Sequence, residues 1–288
     1  MKKLLVVFVS LALLNPARSR AQGGKVFDDL SVPSKILNLD RKFSIYLPPD
    51  YETSHRSYPV LYLLHGGLDD QTGWVQFGEV LHITDLAIAE GRATPMIIVM
   101  PDGFTVHPGF FNYPTGNWNY EDFFFKELIP FIEKKYRVKS EKRFRAISGL
   151  SMGGGGAFIY ALHHPEMFSS SCPLSGDVGP IAPDDARKAI TRYGLNVSDS
   201  TVANYYNRQS VIALVNSMPD TLKRAVRWYI SVGDKDGLSE GNALVHIAMR
   251  KNGIPHEFRV VDGGHNWTFW RASLANVLAF VSEAFHQP

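Results

Sequence analysis

The chain alternates short, almost unbroken apolar runs with longer amphipathic stretches. Residues 59–64 (PVLYLL) and 96–100 (MIIVM) carry almost no polar positions. Runs of this length, bounded by turn residues, predict strands buried on both faces. Residues 143–148, 169–174, 227–232 and 257–261 continue the series. Residues 41–47 (RKFSIYL) instead alternate and stop at Pro48-Pro49, which predicts an edge strand. Helices are expected over 82–90, 120–135, 154–163, 241–251 and 270–285. This alternation predicts the α/β class, with a mostly parallel central sheet and helices on both faces. Residues 177–225 show no clear strand and are expected to form a cap-like insertion of helices and loops over the site, within a single domain spanning 22–288.

Residues 1–21 stand outside this pattern. Lys2 and Lys3 precede an apolar run over 4–14, and Ser19-Arg20-Ala21 is a small-x-small cleavage site. This is the layout of a secretory signal peptide cut before Gln22, and its apolar run is too short to anchor in a bilayer. The mature chain is therefore expected to be secreted or periplasmic, without a membrane anchor. The full sequence's hydrophobic content of 45% suits a soluble domain with a full core. The leader holds Lys2, Lys3, Arg18 and Arg20 and no acid, so losing those four cations turns the formal net charge from +2 to −2. No basic run remains to hold nucleic acid. Cys172 is the only cysteine, which excludes an internal disulfide; within its apolar run it is expected to be a buried, unreactive thiol.

The chemistry gathers at strand ends. Gly149-Leu150-Ser151-Met152-Gly153 is a G-x-S-x-G between a strand pattern and a helix pattern. A serine on such a sharp turn projects its hydroxyl above the sheet edge. It needs an adjacent base, oriented by a carboxylate that lies between serine and histidine in chain order. The strand at 227–232 runs into Asp234-Lys235-Asp236. Either aspartate could be the acid, and the longer loop favours Asp236. The strand at 257–261 ends in Gly263-Gly264-His265, and His265 alone among the ten histidines follows that acid on a strand-end loop. His163, His164 and His246 fall on helical stretches and are expected to pack or face solvent.

An oxyanion hole needs two backbone donors. The Met152 amide supplies one, and the loop Leu64-His65-Gly66-Gly67-Leu68 offers the Gly67 amide, with Leu68 as the neighbour that could serve instead. His65 is expected only to fix that loop by packing. Each glycine of the run Gly153-Gly154-Gly155-Gly156 costs about 1 kcal/mol in a helix relative to alanine, which predicts close packing of this helix against neighbouring strands. There is no G-x-x-x-x-G-K-[ST] loop and no H-E-x-x-H, and adjacent histidines on a helix face different directions. Neither a phosphate loop nor a metal or other cofactor is expected. Asn196 and Asn266 fit the glycosylation pattern; a glycan on Asn266 would crowd His265, so that match is read as chance.

Taken together these motifs resemble the esterase D-like branch of the α/β-hydrolases, and within it the bacterial feruloyl and acetylxylan esterases of carbohydrate esterase family one. The resemblance runs from about Arg41 to Phe285. It rests on Leu63 to Gly67 with Trp74 nine residues after His65, on Tyr120-Glu121-Asp122-Phe123 opening a helix, on Gly149 to Gly154, on Gly233-x-x-Asp236 and on Gly264-His265-Asn266-Trp267. It implies an α/β-hydrolase fold with Ser151 as nucleophile, Asp236 as acid and His265 as base, and hydrolysis of an acyl ester without a cofactor. One departure is Gly155, where the family often has a larger residue. Residues 104–120 (FTVHPGFFNYPTGNWNY) are unusually aromatic. Trp118, Tyr120 and Trp267 are expected to bind substrate, as a slot for a hydroxycinnamoyl ring or a platform for sugar. Acetate, small esters and acylated siderophores are alternative substrates, and acyl transfer is an alternative outcome on the same triad. A non-catalytic binding role is disfavoured by the intact Ser151, Asp236 and His265.

Overall fold

The computed structural model describes residues 23–191 and 198–286. The signal-peptide reading and Asn196 lie outside the described residues.

Eight strands form one sheet in the order β1-β2-β4-β3-β5-β6-β7-β8. They are β1 (Lys25–Ser34), β2 (Leu39–Leu47), β3 (Val60–Leu64), β4 (Ile97–Pro101), β5 (Arg145–Leu150), β6 (Ser170–Leu174), β7 (Arg227–Gly233) and β8 (Glu257–Val261). β1 and β2 pair antiparallel, β2 joins β4 antiparallel, and every pairing from β4 to β8 is parallel. The helices are α1 (Gly73–Gln76), α2 (Val80–Ala89), α3 (Tyr120–Phe123), α4 (Ile129–Lys135), α5 (Met152–His163), α6 (Pro183–Thr191), α7 (Asp199–Gln209), α8 (Val211–Asn216), α9 (Ser239–Lys251) and α10 (Trp267–His286). Among the described residues no helix is long and apolar enough to cross a membrane. The chain has the α/β-hydrolase fold expected from its sequence.

The apolar runs are continuous because both sheet faces are covered. Along β3, Val60, Tyr62 and Leu64 enter one core, with Phe158 of α5 and Val245 of α9. Leu61 and Leu63 enter the other, with Val80 of α2 and Leu274, Val277 and Leu278 of α10. The strand's period of two divides a single run between two layers. Cys172 sits in the second core, fully buried, and burial pushes its thiol well above the ordinary range.

Two expectations change. β2 is not an edge strand, because β1 pairs along its outer side. β1 escapes a sequence reading for a physical reason. It is mostly exposed, carries Asp28-Asp29 at a bulge between Phe27 and Leu30, and includes Pro33, so it shows neither a buried run nor clean alternation. It is itself the edge, where proline is tolerated. The helix expected over 120–135 forms, but a wide π-turn at Phe124–Leu128 separates α3 from α4. Pro130, in the first turn of α4, lacks an N–H and crowds the preceding turn, and the wider turn accommodates it.

The helices of residues 177–225 are of two kinds. Val211 and Val215 of α8 belong to the main core, whereas α6 and α7 form a small cluster of their own around Ala186, Ile190 and Val202.

Candidate active site

The parallel strands bring their carboxyl ends to one edge, and every residue of the site hangs from a loop there. Ser151 follows β5 with φ 53° and ψ −117°, a conformation that non-glycine residues rarely hold. Three backbone hydrogen bonds impose it. The Ser151 N–H donates to Leu174 O at 2.9 Å, and its own carbonyl accepts from Gly155 N and Asp177 N, each at 3.0 Å. Close contact completes the turn. A Cβ on Gly153 would lie 2.5 Å from the His65 carbonyl oxygen, one on Gly154 2.7 Å from Gly176 Cα, and one on Gly155 2.5 Å from Asp177 O. The glycine run thus seats the helix against β3 and β6, as expected from its cost.

Ser151 Oγ lies 2.9 Å from His265 Nε2, and His265 Nδ1 lies 3.0 Å from each oxygen of Asp236. The Asp236 side chain is fully buried while that of His265 is 37% exposed, so the acid is shielded and the base faces the cavity. Burial alone would raise the Asp236 carboxyl. The nearby Ser175 hydroxyl, the Leu238 amide at 2.8 Å and His265 outweigh it and hold the group below the ordinary carboxylate range. Asp234 does other work. Its Oδ1 accepts from Gly263 N at 3.0 Å, tying the histidine loop to the end of β7.

A cavity of about 550 Å³ opens beside Ser151, lined also by Gly67, Met152, Asp177, Gly237, Leu238 and His265. Gly67 and Met152 are on its wall, whereas Leu68 is 89% exposed at φ 69° and is not. A Cβ on Gly66 would sit 2.5 Å from Leu150 Cδ1, which shows how closely this loop lies against the serine's turn. His65, 1% exposed, holds the loop by hydrogen bonds rather than by packing alone. Its Nδ1 donates to Gly66 O at 2.7 Å and its Nε2 accepts from Gly103 N at 2.8 Å. That donor–acceptor split requires the neutral ring, and burial pushes its pKa below the ordinary histidine value. A larger depression of about 700 Å³ runs along β8 and α10 but contains none of Ser151, Asp236 and His265. Geometry, not size, locates the site.

The aromatic residues fall elsewhere than expected. Tyr120 is fully buried, Trp118 is 3% exposed, and neither lines the cavity. Tyr120 donates to Asp102 O at 2.5 Å, and the Arg41 guanidinium lies over both rings. Arg41 is itself buried in an ion pair with Asp102 at 3.0 Å. A charge buried this deeply needs partners on all sides, and the two rings supply part of that enclosure. Trp267 packs edge-on against Trp74 and Trp270. Of the loop rings, half-buried Phe111 shares a cavity with Asp177. It lines a second cavity of about 480 Å³ with Asp177, Asp185, Lys188 and Tyr205, and Asp177 belongs to both cavities.

His163 and His164 converge on one carboxylate instead of facing apart. His163 Nδ1 and His164 Nε2 lie 2.8 and 2.9 Å from Glu121 Oε1, because His164 has already left helical geometry at φ −126° and ψ 59°. Among the described residues no group of histidine, cysteine or acid side chains is arranged to hold a metal. Asn266 caps α10, accepting from Phe269 N at 3.2 Å. Ser175, Asp177, Gly237 and Leu238 were not anticipated from sequence. The signal that could have found the first two is the polar Ser-Gly-Asp directly after the buried β6 run.

A family model, Esterase, matches residues 34–281. An esterase of Mycobacterium tuberculosis is 33% identical, over 77% of this chain and 52% of that protein. An endo-1,4-beta-xylanase/feruloyl esterase of Xylanibacter ruminicola is 37% identical over 50% of this chain and 20% of its own length. The chain thus spans about half the length, or less, of these curated relatives. Among solved structures, a ferulic acid esterase is similar with a TM-score of 0.79 at 38% identity, covering 91% of this chain and 99% of that one. An S-formylglutathione hydrolase from Agrobacterium tumefaciens reaches 0.73 at 22% identity over 92% and 96%, a likeness of fold alone.

Proposed function

Because the chain belongs to the Esterase family, we propose that it is a carboxylic ester hydrolase, an exported serine esterase releasing hydroxycinnamoyl groups, such as ferulate, from plant cell-wall polysaccharide. The observation that carries the mechanism is the unbroken contact from Ser151 Oγ through His265 to buried Asp236. Ser151 attacks the ester carbonyl as His265 Nε2 takes its proton. The Met152 and Gly67 amides receive the oxyanion, a contribution worth about 10²–10³ in rate per donor. His265 then protonates the leaving alcohol, the acyl group stays on Ser151, and a water activated by the same imidazole completes hydrolysis. Asp236 remains ionised and stabilises the imidazolium.

Where each half of the substrate would lie supports this reading. The alcohol has to sit beside His265 Nε2, on the α10 side of Ser151. The acyl group would then extend the other way, past Asp177, toward the cavity that Phe111 and Tyr205 help to line. A planar aromatic acid suits a cavity lined in part by two aromatic side chains, whereas an acetyl group would leave it unused. The likeness to a ferulic acid esterase over most of the chain supports the same reading.

The test is acid release from methyl ferulate and from acetylated xylan, with Ser151→Ala as control. Ferulate release that disappears in Ser151→Ala is the expected result. Acetate release alone would keep the triad and discard the aromatic acyl group. Transfer of the acyl group to an added alcohol in preference to water would make the protein a transferase. Activity of Ser151→Ala equal to wild type would overturn the mechanism.

A further inference from the structure

Asp69 and Asp70 follow the loop of Gly66 and Gly67, and the fold uses them differently. Asp70 shapes the turn into α1, its Oδ1 accepting from Thr72 N and Thr72 Oγ1, each at 2.7 Å. Asp69 is half-buried, and among the described residues no donor reaches its carboxylate. It stands beside the nucleophile. A Cβ on Gly66 would lie 3.6 Å from Ser151 Cβ and 3.8 Å from Asp69 Oδ2, so the two side chains flank one point of the loop. Burial and the neighbouring Asp70 raise the Asp69 carboxyl above its ordinary value. Within the chain its charge is opposed and unanswered, which is the condition of a group that meets its partner in a ligand.

The same side of Ser151 carries an exposed ring. A Cβ on Gly73 would lie 3.1 Å from Asp69 Cβ, and Phe77 closes the single turn of α1 by donating its N–H to Gly73 O at 2.9 Å. Phe77 is 48% exposed but held in place. Arg271 of α10 donates to its carbonyl at 2.9 Å, and its ring leans on half-buried Trp267 with centroids 5.9 Å apart. The ring contacts continue from Trp267 to Trp270 at 5.4 Å and from Trp270 to His265 at 4.9 Å. Phe77 thus ends a row of rings that begins at His265, on the α10 side.

We propose that Asp69 and Phe77 form the subsite for the alcohol half of the ester, and that this alcohol is a sugar whose free hydroxyls donate to the Asp69 carboxylate while one face of its ring rests on Phe77. The inference rests on the esterase reading above, which sets the alcohol beside His265. A sugar supplies what each residue lacks. Its hydroxyls are donors for a carboxylate that can only accept, and its C–H face covers exposed apolar surface. A methyl alcohol is too small to do either.

The test compares two esters of one acid, methyl ferulate and a feruloylated arabinoxylan oligosaccharide. The ratio of their kcat/KM values is read, so that any effect on the triad cancels. A hydrogen bond to a charged acceptor is worth about 10- to 100-fold. Asp69 is only half-buried, so the lower end applies, and Asp69→Ala should shift the ratio about tenfold toward methyl ferulate. Asp69→Asn keeps the shape and one acceptor and should shift it less. Phe77→Ala should shift it about three- to tenfold through lost apolar contact. The chain gives Asp69 no donor, so its variants should keep or gain Tm. Binding of the unesterified oligosaccharide to Ser151→Ala, followed by titration calorimetry, should weaken about tenfold when Asp69→Ala is added. A wild-type ratio in either Asp69→Ala or Phe77→Ala overturns the proposal. So does an equal fall on both esters accompanied by a lower Tm. If wild type cleaves neither ester, the esterase reading fails on its own and calorimetry still decides the subsite: no binding, or binding indifferent to Asp69, overturns it.

Discussion

Alanine at Gly153 asks whether backbone packing holds the nucleophile's turn. The new methyl would lie 2.5 Å from the His65 carbonyl oxygen and 2.7 Å from both Leu64 C and Leu64 Cβ. These atoms belong to the end of a buried strand and have no rotamer to escape into. At Gly156 the same methyl would meet Leu64 Cδ1 at 2.8 Å and Phe110 Cβ and Cδ2 at 3.2 and 3.3 Å, the first of which can turn aside. Alanine gains about 1 kcal/mol in either helical position. Overpacking costs about 1–3 kcal/mol, the upper end applying where the backbone must move. Gly153→Ala should then lose about 2 kcal/mol net, or roughly 4–8 °C in Tm, while the two effects nearly cancel in Gly156→Ala. The displaced carbonyl belongs to the loop that carries Gly67. Oxyanion donation should suffer, and kcat should drop about tenfold with KM little changed. Thermal unfolding and methyl ferulate kinetics on both variants give the answer. A Gly153→Ala enzyme as stable and active as wild type, or a Gly156→Ala enzyme that is the worse of the two, would refute the argument.

Asp236→Asn should lower kcat by about 10³–10⁴, because an amide can leave His265 in the wrong tautomer, whereas Asp234→Asn keeps an acceptor for Gly263 and should stay within a few-fold of wild type. Steady-state kinetics of the pair decides it, and the reverse order would remove Asp236 as the acid. Burial alone would raise the Glu121 carboxyl from its usual 4.5, but hydrogen bonds from His163 and His164 hold it down to about 2. A lowered value contributes stability that is fully present above the unfolded value and is lost as pH falls through that window, here up to about 3 kcal/mol. Urea unfolding from pH 5 to 2 should therefore weaken wild type more than Glu121→Gln, and parallel curves would show that the cluster contributes nothing.

The parallel half of the sheet was legible because a strand covered on both faces must be apolar at every position, as β3 and β4 are. The exposed edge strand β1 obeys no such constraint, and its absence from the reading made β2 look like an edge. The three strand ends that carry Ser151, Asp236 and His265 were legible for a related reason. A motif at the carboxyl end of a buried run has one place to go in this fold. The choice between Asp234 and Asp236 rested on loop length and resemblance, and the two aspartates have separate contacts.

The aromatic loop shows where sequence reasoning stops. A tryptophan in a loop carries no sign of whether it faces in or out. What turns Trp118 and Tyr120 inward is the buried pair of Arg41 and Asp102, whose partners are 61 residues apart in the chain. Arg41 sits in a short alternating strand and Asp102 follows another, so neither position hints at the other. The couplings within the site are harder still to foresee. Asp177 N on Ser151 O, Gly263 N on Asp234 and Gly103 N on His65 all use backbone donors. A backbone donor is present at every non-proline residue and selects no side chain. The residues that would perform the chemistry are constrained in type and leave motifs. Those that hold them are constrained mainly in position, and position is settled by the fold.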